Sequence, residues 1–177
     1  MPRVSQPGPD EARRAAASLL AKYDRIAALR EAYDRSGGVV DRAAVAALAG
    51  QWPGAVRELD TLCPHELSAR REALREAVHA GGEVPSWAVR IEASHRVMAA
   101  ALWVKGRVRR DDAPDPARDA DLAAEAEARA GMPLGEGFVA AVRWPPGGRL
   151  GAVVRGLLEA LHGAPEGVTK PRPARDA

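Results

Sequence analysis

The sequence has one cysteine, Cys63, among its 177 residues, which excludes a disulfide framework. No stretch approaches the ~20 uninterrupted apolar residues of a membrane-spanning helix. Large apolar side chains are scarce too, because Leu, Ile, Val and Phe together number only 34. Such a content borders on that of disordered chains, but disorder also needs a large net charge, and here it is +2. We therefore expect a folded protein.

Alanine and arginine are abundant. The chain has 38 alanines, so we expect a thin and closely packed core. Arginine outnumbers lysine by 23 to 3, which together with the alanine excess is typical of a GC-rich bacterial genome. This bias reflects codon usage and carries no information on function.

The charge pattern gives weak support for nucleic-acid binding. The isoelectric point near 9.0 is just short of the usual range for such domains, and the 24 acidic residues are interspersed with the basic ones along most of the chain. Residues 1–9 have no apolar run typical of a secretory leader, so we expect a cytoplasmic protein.

Apolar spacing and helix-ending residues predict an all-α protein of six to eight helices, and no alternating run indicates a strand. Asp41 and Pro64 are expected at helix starts, and Pro53 at the first position of a short helix. The predicted helices span about 10–34, 41–48, 53–62, 64–80, 87–109, 117–130, 136–143 and 150–162.

The domain organisation is predicted to be simple. Residues 10–168 are expected to form one helical domain, with a possible subdomain break in the proline-rich acidic stretch 111–116. Residues 1–9 and 169–177 are expected to be a flexible N-terminus and C-terminal tail.

The helix at 87–109 is expected to be central because it is apolar on two sides. Its main apolar face is predicted to comprise Trp87, Ile91, Met98 and Leu102. A second strip is predicted to comprise Val89, Val97, Val104 and Val108.

Three histidines follow a glutamate by three residues, a spacing that puts both side chains on one helix face and that binds iron or manganese in some four-helix bundles. In an alternative interpretation the protein is therefore a metal-binding helical enzyme or sensor that uses these pairs, with iron, manganese or zinc as its cofactor. The main interpretation predicts no cofactor. For Glu92 we expect a salt bridge to Arg96, and for His95 a hydrogen-bonded core position. The other two histidines end their helices, where the helix dipole favours them. The pairs are Glu76 with His79, Glu92 with His95, and Glu159 with His162.

Cys63 precedes Pro64, so its sulfur is expected near a helix N-terminus with His65 close by. That setting can activate a thiol for nucleophilic attack. A buried position at a tight turn is the preferred prediction, because free cysteine is among the most buried residue types.

Four tryptophans are candidate interface residues, since tryptophan is enriched at binding hot spots. Three adjoin proline turns or helix starts, where a large ring can cover a thin core. Trp103 lies off the main face of the central helix, so a neighbouring helix or another chain is expected to cover it. The candidates are Trp52, Trp87, Trp103 and Trp144.

A DNA-associated role is the second alternative. The short helices before residue 80 could form a helix-turn-helix, but their turns fit poorly and glutamates offset the arginines of the 64–80 helix. A basic cluster at the end of the central helix is the better nucleic-acid candidate: Lys105, Arg107, Arg109 and Arg110.

No phosphate-binding loop, nucleophile elbow or paired cysteine motif is present. The sequence therefore favours a non-catalytic helical interaction or adaptor module of a GC-rich bacterium. It is expected to bind a protein partner or to form a homo-oligomer, with no role at a membrane.

Overall fold

The computed structural model describes residues 7–162. For Gln51 and Ala55 within this range it describes the backbone but not the side chain. This part of the chain forms eight α-helices and one short 3-10 turn, and it contains no strand. Within it, no helix has both the length and the apolar character needed to cross a bilayer. The helices are α1 (Pro9–Arg35), α2 (Arg42–Gln51), α3 (Ala55–Thr61), α4 (Pro64–His79), α5 (Ser86–Lys105), α6 (Pro116–Ala130), α7 (Phe138–Arg143) and α8 (Leu150–His162), and the 3-10 turn is Pro146–Gly148.

The predicted all-α class is confirmed, and most helix ends follow their capping residues. The Asp41 carboxylate accepts the Ala44 N–H at 3.0 Å and caps α2. Pro64 is the first residue of α4 as expected, whereas Pro53 lies in the turn before α3. The predicted central helix is too long, because α5 ends at Lys105 with Gly106 as its C-cap.

The core consists of two clusters of buried residues that share α5. The first lies around the N-terminal half of α5 and includes Leu19, Tyr23 and Leu74. The second lies around the rest of α5 and includes Val104 and Phe138. One continuous helix therefore carries both clusters.

The loop at 111–116 connects residues of one cluster, since Val108 before it and Ala126 after it both belong to the second cluster. The domain assignment itself stays a prediction. Residues 1–6 of the predicted N-terminal segment and all of the predicted tail at 169–177 lie outside the described residues.

The predicted main face of α5 is wrong. Trp87, Ile91 and Met98 are only partly buried and Leu102 is 42% exposed. The side that packs centrally instead carries small residues such as Ala93, Ala100 and Ala101, which are 2% exposed or less. Small side chains let the backbones of neighbouring helices approach α5 closely, so the larger residues are left at the margins.

Arginine side chains link neighbouring helices through hydrogen bonds and ion pairs. Arg143 on α7 is 5% exposed and donates two hydrogen bonds, of 2.9 and 2.6 Å, to the carboxylate of Asp119 on α6. Arg71 on α4 pairs with Asp24 on α1 at 2.7 Å. Arg30 on α1 donates to the carbonyls of Leu59 and Leu62 at the end of α3. Planar guanidinium groups suit such paired contacts.

Replacement of Ala100 by leucine tests the close packing at α5. Ala100 is 1% exposed, so Ala100→Leu should lower the free energy of unfolding by about 1–3 kcal/mol through overpacking. Ala99 is the matched control, because it is exposed on the same helix and Ala99→Leu should change stability by less than about 0.5 kcal/mol. Urea unfolding measures both, and equal losses would contradict the packing described.

Candidate functional site

A cluster of polar side chains lies inside the bundle where α1 crosses α5, and we call it the polar cluster. It draws on four helices, α1, α3, α4 and α5. Its members are Ser18, Lys22, Tyr23, Glu58, Arg70, Glu92 and His95.

The buried ion pair between Lys22 and Glu92 is the centre of the polar cluster. Lys22 Nζ lies 2.6 Å from Glu92 Oε2, and the two side chains are 2% and 8% exposed. Ser18 donates its hydroxyl to Glu92 Oε1 at 2.7 Å, so both carboxylate oxygens have a partner. The Lys22 ammonium has three donors, and Glu92 Oε2 and His95 Nδ1 accept two of them.

His95 lies between a cation and an anion, which assigns its tautomer. Lys22 Nζ is 3.2 Å from His95 Nδ1, and an ammonium can only donate, so Nδ1 accepts. Nε2 then carries the hydrogen and donates it to Glu58 Oε1 at 3.3 Å. The neutral ring therefore connects α1 to α3 through α5.

Gly54 allows this position of the His95 ring. A Cβ at Gly54 would lie 2.6 Å from His95 Cδ2, closer than carbon atoms can approach. Glycine before α3 is therefore required for His95 to reach Glu58.

Tyr23 extends the polar cluster towards α4. Its hydroxyl has no neighbouring solvent, since Tyr23 is 0% exposed, and it accepts a hydrogen bond of 2.9 Å from Arg70 Nη1. Burial raises the pKa of Tyr23 to about 12, with a further contribution from the Glu58 carboxylate that the Arg70 guanidinium opposes.

The Lys22 amine and the His95 imidazole are enclosed groups of the polar cluster. Lys22 is 2% exposed and His95 is 6% exposed, so neither the amine nor the imidazole reaches solution without movement of the helices around it. Its charges are matched against one another, which favours a role in positioning the four helices.

The three predicted Glu/His pairs do not converge. Glu92 and His95 share a buried face as predicted, with Glu92 Oε2 and His95 Nδ1 3.9 Å apart, but the expected partner of Glu92 is wrong, since Lys22 takes the place of Arg96. The other two pairs are exposed near the ends of α4 and α8: Glu76 with His79, and Glu159 with His162. Residues 7–162 contain no group of three or more such side chains able to hold a metal ion.

The predicted burial of Cys63 is wrong, because Cys63 is exposed. It is the N-cap residue of α4, and its Sγ accepts the Glu66 N–H at 3.4 Å. Pro64 has no N–H to donate, so the sulfur accepts a hydrogen bond from a backbone N–H of the first helical turn that has no acceptor within the helix. Its predicted reactivity as a nucleophile stays a prediction.

Each tryptophan has at least one cationic side chain within 6 Å of its ring centre, a geometry typical of cation–π contacts. Trp103 has two, with Arg107 at 4.0 Å and Arg129 at 4.5 Å. Its cover therefore comes from its own chain. The remaining pairs are Trp52 with Lys22 and Arg25, Trp87 with Arg70, and Trp144 with Arg143. Of the four rings Trp144 is the most accessible, at 49% exposed.

The basic residues expected at the end of the central helix lie on both sides of that end. Lys105 is the last residue of α5, whereas Arg107, Arg109 and Arg110 follow it. All four are exposed. The loop also carries Asp112, whose carboxylate accepts the Arg109 N–H at 3.2 Å. The nucleic-acid interpretation stays untested.

An exposed apolar surface lies on and beside α2, and it was not predicted. Tyr33, Val39 and Val40 are 46%, 67% and 54% exposed, and they lead along the chain into α2. Residues 43–50 of α2 carry no charge, yet Leu48 is the one buried side chain among those described in this helix. We call this the α1–α2 surface; it consists of Tyr33, Val39, Val40, Ala43, Ala46 and Ala47.

The sequence contained a signal for part of the polar cluster. Lys22 lies three residues after Leu19 and four before Ile26, so it falls on the buried stripe of α1. A lysine in that register is conspicuous in a chain with 3 lysines and 23 arginines. Nothing comparable marks Glu58 or the contact of Arg70 with Tyr23, because the residues that meet there are distant in sequence.

Comparison of the chain with protein-family models, with curated proteins and with solved structures finds no match.

Removal of the Lys22 cation should be more damaging than removal of the whole ion pair. Lys22→Met leaves the Glu92 carboxylate buried without its counter-ion, so we expect a loss of about 3–5 kcal/mol in the free energy of unfolding. The double variant Lys22→Met with Glu92→Leu should recover part of that loss. Lys105→Met, at an exposed position on the same bundle, is the control for lysine removal. A double variant that is no more stable than Lys22→Met in urea unfolding would contradict coupling between the two residues.

Titration of Tyr23 tests the enclosure of the polar cluster. A Tyr33→Phe protein keeps Tyr23 as its one tyrosine. Its phenolate absorption should rise with a midpoint at about 12. The raised pKa means that the folded state holds this proton longer than the unfolded chain does, so stability falls as pH rises from about 10 towards 12. Circular dichroism on the same samples reports whether the fold persists, and a midpoint near 10 in folded protein would contradict the burial of Tyr23.

Proposed function

We propose that this protein is a non-catalytic helical interaction module that binds another protein chain through the α1–α2 surface. The observation that supports the proposal is the mismatch between the composition of α2 and its burial. A helix without charges over 43–50 has the composition of a core helix, yet nearly all its described side chains remain accessible. A second chain that covered α2 would resolve this mismatch.

The loop before α2 adds larger side chains to the same surface. Ser36 Oγ accepts the Val39 N–H at 3.1 Å and donates to the Tyr33 carbonyl at 2.9 Å, so the loop has a defined shape. Val39 is 67% exposed in that shape. Large exposed apolar side chains that are neighbours in the chain, as Val39 and Val40 are, mark interaction sites on soluble proteins more often than isolated ones do.

Small side chains on α2 favour close contact with a partner helix. Ala43, Ala46 and Ala47 are exposed and leave the helix backbone accessible. Alanine side chains can bury apolar area without the loss of side-chain entropy that long residues suffer. A second copy of this chain and a different protein are both partners of the required chemistry.

A photo-crosslinking amino acid at Val39 tests the proposal in cells that contain the protein's natural partners. We expect a discrete protein adduct that survives nuclease treatment. Ala47→Glu in the same protein should reduce the adduct by about tenfold or more, because it buries an uncompensated carboxylate in the interface. Sedimentation of the purified protein then identifies a second copy as the partner if the mass doubles with concentration.

Ala128 provides the matched control, since it is an exposed alanine on α6, away from the α1–α2 surface. The crosslinking residue at 128 should give no adduct, and Ala128→Glu should leave the adduct from position 39 unchanged. No protein adduct from position 39, or equal adducts from both positions, would overturn the proposal. An adduct destroyed by nuclease would favour nucleic acid instead.

A further inference from the structure

A small pocket lies between α1 and α2, beside the α1–α2 surface. Its volume is about 180 Å³, which is below the usual range for small-molecule sites but leaves room for a side chain. Four of its five lining residues are apolar. We call it the α1–α2 pocket; it is lined by Arg25, Ala28, Leu29, Ala44 and Leu48.

The walls of the α1–α2 pocket are accessible from outside the protein. Ala28 is exposed, while Leu29 and Ala44 are partly buried. Leu48 is 1% exposed and therefore lies deepest of the four apolar residues. An apolar side chain that entered the pocket would be removed from water, which favours its binding there.

The α1–α2 surface also carries an exposed apolar side chain that can fill such a pocket. Val40 is 54% exposed and lies two residues before the start of α2. Ala44 of the pocket follows it by only four residues, so the valine and the pocket belong to one region of the protein. A surface with both an apolar side chain to insert and an apolar pocket to receive one is complementary to a second copy of itself.

The charges beside the valine and beside the pocket have opposite signs. Asp41 follows Val40, and its Oδ1 accepts the Ala44 N–H at 3.0 Å, while its second oxygen can accept from another chain. Arg25 is an exposed lining residue of the pocket, and a guanidinium has five donors for carboxylate oxygens. A different protein would have to supply an apolar side chain and a carboxylate together, whereas this chain carries both in adjacent positions.

We propose that two copies of this chain form a two-fold symmetric dimer in which Val40 of each copy occupies the α1–α2 pocket of the other. Asp41 of each copy then pairs with Arg25 of the other at the edge of the pocket. This inference rests on the proposed function, because it names the partner of the same surface. A two-fold arrangement fills both pockets and uses both valines, so assembly stops at two copies.

Sedimentation equilibrium of the purified protein tests the dimer, and we expect its molar mass to double with concentration. Ala28→Phe places a ring at the pocket and should raise the dimer dissociation constant by about tenfold or more. Ala128→Phe is the matched control, an exposed alanine on α6, and should change that constant by less than about twofold.

Asp41→Asn is a second variant that keeps an N-cap for α2 and removes only the charge. It should raise the dissociation constant by about threefold, the effect expected from one exposed ion pair. Circular dichroism of each variant reports whether the fold is kept. An unchanged constant in folded Asp41→Asn, or equal constants for the two phenylalanine variants, would overturn the proposal.

Crosslinking between copies locates the contact. Unlabelled protein with a photo-crosslinking amino acid at Val39 is mixed with an isotope-labelled copy, and we expect linked peptides that join position 39 to labelled residues 25–48. A monomer at every concentration, or links between copies that lie elsewhere, would overturn the dimer. If a different protein is then the adduct from position 39 in cells, the proposed function stands without this inference, whereas the absence of any protein adduct removes both.

Discussion

The buried ion pair between Lys22 and Glu92 is the contact on which the arrangement of the N-terminal helices depends. It joins α1 to α5 across 70 positions of sequence, at 2.6 Å and almost without solvent. A charge in such a place is tolerated only with its counter-ion, so the two helices can cross in one register and not in a neighbouring one. The short helix α3 depends on the same pair through His95. His95 Nδ1 accepts a hydrogen bond from Lys22, and His95 Nε2 donates one to Glu58 on α3. Specificity of packing, rather than net stabilisation, is the effect expected of this arrangement.

Much of the fold could be predicted from the sequence because helix ends are local events. Asp41 caps α2, Pro64 begins α4 and Gly131 ends α6 in the left-handed conformation, and each acts on its own neighbours within a turn. The face by which α5 packs could not be predicted in the same way. Apolar size suggested Trp87 and Leu102 for the main face. The buried side instead carries alanines such as Ala100, together with Val97 and Val104 of the predicted second strip, because close approach of helices matters more than the area of one side chain. The partner of Glu92 lay out of reach for a similar reason, since a helical repeat favours Arg96 and says nothing about a lysine on a distant helix.

The predicted interface residues and the α1–α2 surface differ in whether side chains of the same chain cover them. A tryptophan in sequence indicates a ring that something must cover, and here arginines of the same chain do so, with Arg107 and Arg129 beside Trp103. Alanine gives no such signal, because it occurs both in cores and on charged, exposed helices. The alanines of α6 lie on a charged helix, among Asp119, Asp121 and Glu125. The alanines of α2 lie on a helix with the uncharged composition of a core helix, although most of its described side chains are not buried. Only the three-dimensional arrangement shows which alanines of such a helix are buried and which are exposed.

The scarcity of lysine has a practical result once the fold is known. Lys22 is enclosed by Glu92 and His95, and Lys170 lies beyond the residues that the structure describes. Within residues 7–162, Lys105 is therefore the one lysine open to solvent. Amine-directed chemistry on this part of the folded protein, whether acetylation by an enzyme or attachment of a fluorophore, is confined to a single side chain at the end of α5. Within the residues that the structure describes, the folded state thus leaves a single accessible lysine, a residue type that is usually scattered over a protein surface.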